Sequence, residues 1–166
     1  MSDETKNHLR YRDKIVEEKN IEALFLLKDN SDFSIALHEI LSNRHDENPS
    51  SLNEVQLNLF LCMHLENAGQ ADHILSFLQE WYPNHSTTVV KSLHKIGAIK
   101  SSKIIEQAIN LLPADGSWFY DKADEDAQDL MDKLGSQFLD YPDGFIRDLY
   151  RNMPRKTEAT FNSSGK

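Results

Sequence analysis

The chain is short of the residues that would mark a stapled, membrane-bound or nucleic-acid-binding protein. It has one cysteine, Cys62, so no internal disulfide can form. Cys62 sits in the apolar run LNLFLCMHLE with no basic neighbour to hold a thiolate, and reads as a buried, inert thiol. No apolar stretch approaches the roughly 18 residues that a membrane span needs. The opening MSDETKNHLRYRDK lacks the apolar centre of a secretion signal. A cytoplasmic location without a membrane partner is therefore expected. Basic residues are in deficit too, with 18 Lys and Arg against 27 Asp and Glu for a net charge of −9. Such a balance argues against direct binding of nucleic acid, whose phosphates demand a basic face. Runs of β-branched residues bounded by hairpin turns are absent, which argues against a sheet.

What is present is helical periodicity. With 39% hydrophobic and 27% charged residues, the composition is that of a folded globular chain. The spacing predicts an all-α fold: a single multi-helix domain over residues 1–156, of about eight helices, and a flexible tail over 157–166. The first helix is expected over 5–28 and the second over 32–44. The third, over 52–68, is apolar on most of its circumference, as befits a central helix. Ser51 and Glu54 fit a capping box at its start, and Gly69 stands where a glycine would close it. A fourth helix over 70–81 is stopped by Pro83. An αα-hairpin follows over 89–112, turning at Gly97-Ala98, then an acidic helix over about 124–140. The last helix follows Pro142 and uses Phe145, Ile146, Leu149, Tyr150 and Met153.

Motifs that carry chemistry are incomplete. His38-Glu39 begins an HExxH pattern, but Ser42 stands where the second histidine belongs. Cys62 and His64 are two apart, which on a helix sends them to different faces. Taking Asp124 as the first position of a calcium loop puts Asp129 where the sharp turn needs glycine, and Gly135 where a bidentate Glu belongs. GxSxG, GxGxxG and a phosphate-binding glycine loop are missing. The expectation is a protein that is not an enzyme and uses no metal or cofactor.

Charge is concentrated late in the chain. Residues 115–148 carry ten acids against Lys122, Lys133 and Arg147, a net charge of −7. On a helix, Ala127, Leu130, Met131, Leu134, Phe138 and Tyr141 recur as one apolar face. Glu125, Asp129, Asp132 and Asp140 then fall in a narrow stripe on the other side. At 1.5 Å per residue, Glu125 and Asp129 are roughly 6 Å apart along the axis, and Asp129 and Asp132 roughly 4.5 Å. That is the scale of phosphate spacing along a nucleic-acid strand. Solvation alone also accounts for such a stripe, and Asp124, Glu125 and Asp126 suit the positive end of the helix dipole. Trp81, Tyr82, Trp118, Phe119 and Tyr120 are the alternative anchors, since aromatic residues often carry interface energy.

The segment from Leu52 to about Pro113 reads LNEVQLNLFLCMHLENAG, ILSFLQEWYPNHS and VVKSLHKIGAIKSSKIIEQAINLLP. It resembles the all-helical domain of the bacterial DNA-mimic protein family of Neisseria, a domain of otherwise unknown function. The match is best at Ile96-Gly97-Ala98. The family's Asn-Gly-Gly-Phe turn appears here as Asn67-Ala68-Gly69-Gln70, so Asn67 and Gly69 are the retained turn residues. The resemblance implies an acidic, dimeric protein that occupies the DNA site of a transcription factor or nucleoid protein. Read from residues alone, a helical scaffold or immunity-type module with an unspecified protein partner is the alternative.

Overall fold

The computed structural model describes residues 3–151. Its regular structure is helical, and among the described residues there is no strand, only an isolated bridge between Pro142 and Gly144. The all-α class read from periodicity is the class observed. Contacts divide the described residues into two compact units, one of residues 3–60 with 147–151 and one of residues 61–146. The expected tail over 157–166 and Met153 lie outside the described residues.

In the first unit, helix α1 (Asp3–Glu17) packs against α3 (Asn30–Glu47), with the short α2 (Ile21–Leu24) between them in sequence. A continuous helix over 5–28 does not form. Lys19 adopts a left-handed φ of 51°, and the Asn20 and Lys19 amides close back on Ile15 O and Val16 O. This is a Schellman ending made with lysine in place of the usual glycine. Asn20 then caps α2 through its side chain, which accepts from Ala23 N–H. The break lets Ile21, Leu24 and Leu27 turn inward beside Phe33, Leu37, Ile40 and Leu41 of α3. Helix α3 starts where Asp29 accepts the Ser31 and Asp32 amides. Helix α9 (Ile146–Tyr150) begins at the unit boundary and buries Tyr150. The Arg151 guanidinium lies 4.7 Å from the centre of the Phe33 ring and donates to Lys28 O. Phe145, expected on the apolar side of this last helix, is half-exposed and precedes it, its ring tilted against that of Tyr141 at 5.0 Å.

Helix α4 (Glu54–Ala71) crosses the division between the units and is largely buried from Val55 to Gly69. Its cap is reciprocal but two residues later in register than expected. Gln56 N–H donates to Asn53 Oδ1 while Gln56 Oε1 accepts from Asn53 N–H. Ser51 is occupied elsewhere, donating to Arg44 O. Gly69 does not end the helix. It is buried inside α4, where an added Cβ would sit 3.3 Å from Leu139 Cδ2 and 3.4 Å from Phe138 Cδ1. The glycine serves close packing, and Asn67 lies exposed within the same helix.

The second unit continues from Leu61. The expected helix over 70–81 is interrupted at Asp72-His73 and resumes as a π turn, Ser76–Trp81, closed by Tyr82 N–H to Phe77 O. Helices α5 (Ser86–Lys95) and α6 (Ile99–Asn110) form the hairpin. Gly97 takes φ +91°, and the Ala98 and Gly97 amides bond Leu93 O and His94 O, a Schellman turn built on glycine. Helix α6 has no side-chain cap of its own at Ala98. Asp143 supplies one, accepting the Lys100 and Ser101 amides at 3.1 and 2.8 Å. A short helix α7 (Phe119–Lys122), which periodicity does not reveal, precedes α8 (Glu125–Leu139). Asp124 caps α8 by accepting from Ala127 N–H at 2.9 Å, and α8 packs on α6.

Candidate functional site

Helix α8 is amphipathic, and burial defines its two sides. Met131, Leu134, Gly135 and Phe138 are buried, whereas Glu125, Asp126, Asp129, Asp132 and Asp140 are exposed. Leu130, assigned to the apolar face by spacing, is 41% exposed and borders the acidic side. At 100° per residue Lys133 falls inside the same outward arc, so the ladder has one cation within it. The first-turn acids sit at the favourable end of the helix dipole, while Asp140 is the C-cap and opposes it.

Asp132 is unlike the other members of the stripe. It lies at the edge of the arc, where its Oδ1 accepts from the Tyr120 hydroxyl at 3.4 Å and stands 3.7 Å from His73 Nε2. The imidazole is fixed from behind by Leu75 N–H, which donates to Nδ1 at 3.1 Å. That bond assigns the proton of the neutral ring to Nε2, a buried donor with no hydrogen-bond partner among the described residues. The ring therefore presents a donor, and its lone pair is not free to activate a nucleophile. Burial lowers the His73 pKa, against smaller raising effects of Asp132 and Asp72. The ring fits because residue 135 is glycine, since a Cβ there would lie 2.6 Å from Nε2.

These residues surround a pocket of about 250 Å³ lined by Gly69, Asp72, His73, Ile74, Asp132, Gly135, Ser136 and Leu139. Ser76 Oγ donates to Asp72 Oδ2 at 2.8 Å, holding that carboxylate at the interruption between α4 and the π turn. Sequence reading missed this site. Asp72-His73 falls in the first turn of the helix expected over 70–81, and only the break there brings both residues to the pocket beside α8.

The aromatic candidates separate into two groups. Phe119 is fully buried, and Tyr82 is half-buried, packed against Phe77 at 5.5 Å and His64 at 5.1 Å. Trp81, Trp118 and Tyr120 are 44%, 36% and 41% exposed, and the rings of Trp118 and Tyr120 lie 6.0 Å apart. Gln79 of the π turn holds their loop by donating to Ser117 O and accepting from Phe119 N–H. With Phe119 fixed inward, its neighbours Trp118 and Tyr120 stay outward. Tyr120 thus connects the exposed aromatics to the acidic stripe. Its phenol is pushed up by burial, then by Asp132 and more weakly by Asp72.

Cys62 is buried, and its thiol is pushed far up by burial and then by Glu66. Among the described residues no group of three His, Cys, Asp or Glu side chains is placed to hold a metal ion. None of the described helices is long and apolar enough to cross a membrane.

No curated protein and no solved structure matches the chain. The family described as DMP19-like protein matches residues 50–156, a span that contains α4, the pocket, the hairpin and the whole of α8. The match covers well over half of the chain and agrees with the DNA-mimic resemblance of the segment from Leu52 to Pro113. The chain belongs to the DMP19-like protein family.

Proposed function

We propose that this protein is a non-enzymatic acidic binding domain that acts as a DNA mimic, presenting α8 to the DNA-binding face of a basic protein. The observation that supports the reading is the simultaneous exposure of Glu125, Asp129, Asp132 and Asp140 on a helix whose other side is locked into the interior. A rigid helix holds its carboxylates at fixed intervals, as a nucleic-acid strand holds its phosphates, and like charges so arranged mildly destabilise an isolated helix. Membership of the DMP19-like family supports the same reading. The partner in this reading is a transcription factor or nucleoid protein of the bacterial cytoplasm, met by a homodimer of this chain. Neither a metal nor a cofactor takes part.

A pull-down from lysate at low and high salt tests this. Wild type is expected to retain a DNA-binding protein at low salt and to release it at high salt. The combined Glu125→Gln, Asp129→Asn and Asp132→Asn variant is expected to lose it. Retention of every partner by that variant would remove the stripe from the account.

The exposed Trp81, Trp118 and Tyr120 favour a second reading, a helical scaffold or immunity-type module whose partner docks on aromatic side chains. Binding that is indifferent to salt and lost in Trp118→Ala would select it.

A further inference from the structure

The pocket beside α8 places two carboxylates around one small space. Asp72 lies at the interruption that follows α4 and Asp132 on α8, with His73, Ile74, Gly135 and Ser136 also lining the pocket. No lysine or arginine lines it. Burial lowers the His73 pKa, which favours the neutral ring at physiological pH and leaves both carboxylate charges uncompensated. Tyr120 and His73 both approach Oδ1 of Asp132, while Oδ2 accepts no hydrogen bond from the described residues. The volume of about 250 Å³ is below the usual range for a free small-molecule ligand, and suits the tip of one side chain.

We propose that this pocket seats an arginine guanidinium of the partner between Asp72 and Asp132, with the Tyr120 ring at its edge. The inference rests on the acidic-surface reading and adds to it the identity of the cation and the place where it is held. A guanidinium can donate to two carboxylates at once through its planar fork, which an ammonium cannot do. It also stacks on aromatic faces, and the half-exposed Tyr120, whose hydroxyl reaches Asp132 Oδ1, is the aromatic residue beside this carboxylate. The stripe then attracts a basic surface broadly, and the pocket selects one residue of it.

The test is an NMR titration of the isotopically labelled full chain with a short Arg-Gly peptide, its Lys-Gly counterpart and a citrulline-Gly control. The Arg-Gly peptide is expected to shift the His73 imidazole and the Tyr120 and Gly135 amides saturably. It should bind about tenfold more tightly than the Lys-Gly peptide, with no saturable binding of the citrulline form. Asp72→Asn and Asp132→Asn, which preserve shape, should each weaken it by about tenfold, and Glu125→Gln by no more than about twofold. Equal binding of the arginine and lysine peptides overturns the proposal. So do shifts spread along α8 that Glu125→Gln and Asp129→Asn weaken as much as Asp72→Asn does, although the acidic-surface reading would survive that result. Pocket binding of the peptide that leaves a captured basic partner undisturbed would leave the pocket standing and overturn its role in partner recognition.

Discussion

His73 and Gly135 occupy one space between them: the imidazole of the first fills the position where a side chain on the second would begin. A Cβ at residue 135 would lie 2.6 Å from Nε2, and the ring cannot swing away freely because Leu75 N–H holds its Nδ1. Gly135→Ala is therefore expected to destabilise the fold by about 1–3 kcal/mol, the usual cost of overpacking. In a His73→Ala background the same substitution should become neutral or stabilise by up to about 1 kcal/mol, because alanine is the better helix former. Chemical unfolding of the four variants of this cycle measures the difference. Equal costs in both backgrounds would show that the two residues do not compete for space.

The same imidazole sets a pH dependence. Burial favours its neutral form in the folded chain, so the folded pKa lies below the ordinary 6.5. The stability contributed by neutral His73 is fully present above that unfolded value, and is lost as pH falls through the lowered folded value. Asp132→Asn removes a group that raises the pKa, and should depress it further. Imidazole NMR titration reads both values, and unfolding at successive pH steps should show a weaker acid dependence in His73→Asn. A His73 that titrates above 6.5 would contradict the assignment.

Asp143 caps a helix more than forty residues away in sequence. Its carboxylate takes the Lys100 and Ser101 amides, and Lys100 Nζ donates to Pro142 O beside it. Asp143→Ala should cost about 1 kcal/mol, in the range measured for cap removal. Hydrogen exchange at the Lys100 and Ser101 amides should accelerate. Unchanged protection there would show that the cap contributes nothing.

Cys62 should be inert in the native state, since both burial and the raised pKa suppress the thiolate. A thiol reagent is expected to label it at the rate of unfolding, and in denaturant at once. Rapid labelling of the folded chain would contradict its placement.

How far the sequence reveals this structure depends on the range over which each feature is decided. The hairpin turn at Gly97 and the acidic helix capped by Asp124 rest on local chemistry, and they are legible from neighbouring residues. Gly69 and Gly135 are different, because their reasons are Leu139 and Phe138 in one case and His73 in the other, all distant in sequence. A glycine that ends a helix and one that admits a neighbour look alike until that neighbour is in place. The break at Lys19 is hidden for a related reason, since a lysine in left-handed conformation carries no local signal. Asp72 and His73 are invisible as site residues because the helix breaks at these two positions, which periodicity does not signal. Tyr120 and Phe119 are adjacent aromatics with opposite fates, decided by the grip of Gln79 on the Phe119 amide.

The central claim is that α8 takes the place of DNA on a basic partner. It is tested most directly by competition, with a captured DNA-binding partner, its labelled DNA and increasing amounts of this protein followed by fluorescence anisotropy. Wild type is predicted to displace the DNA, and the Glu125→Gln, Asp129→Asn, Asp132→Asn variant to leave it bound. A ternary complex, with the DNA retained while wild-type protein is bound, would contradict the account.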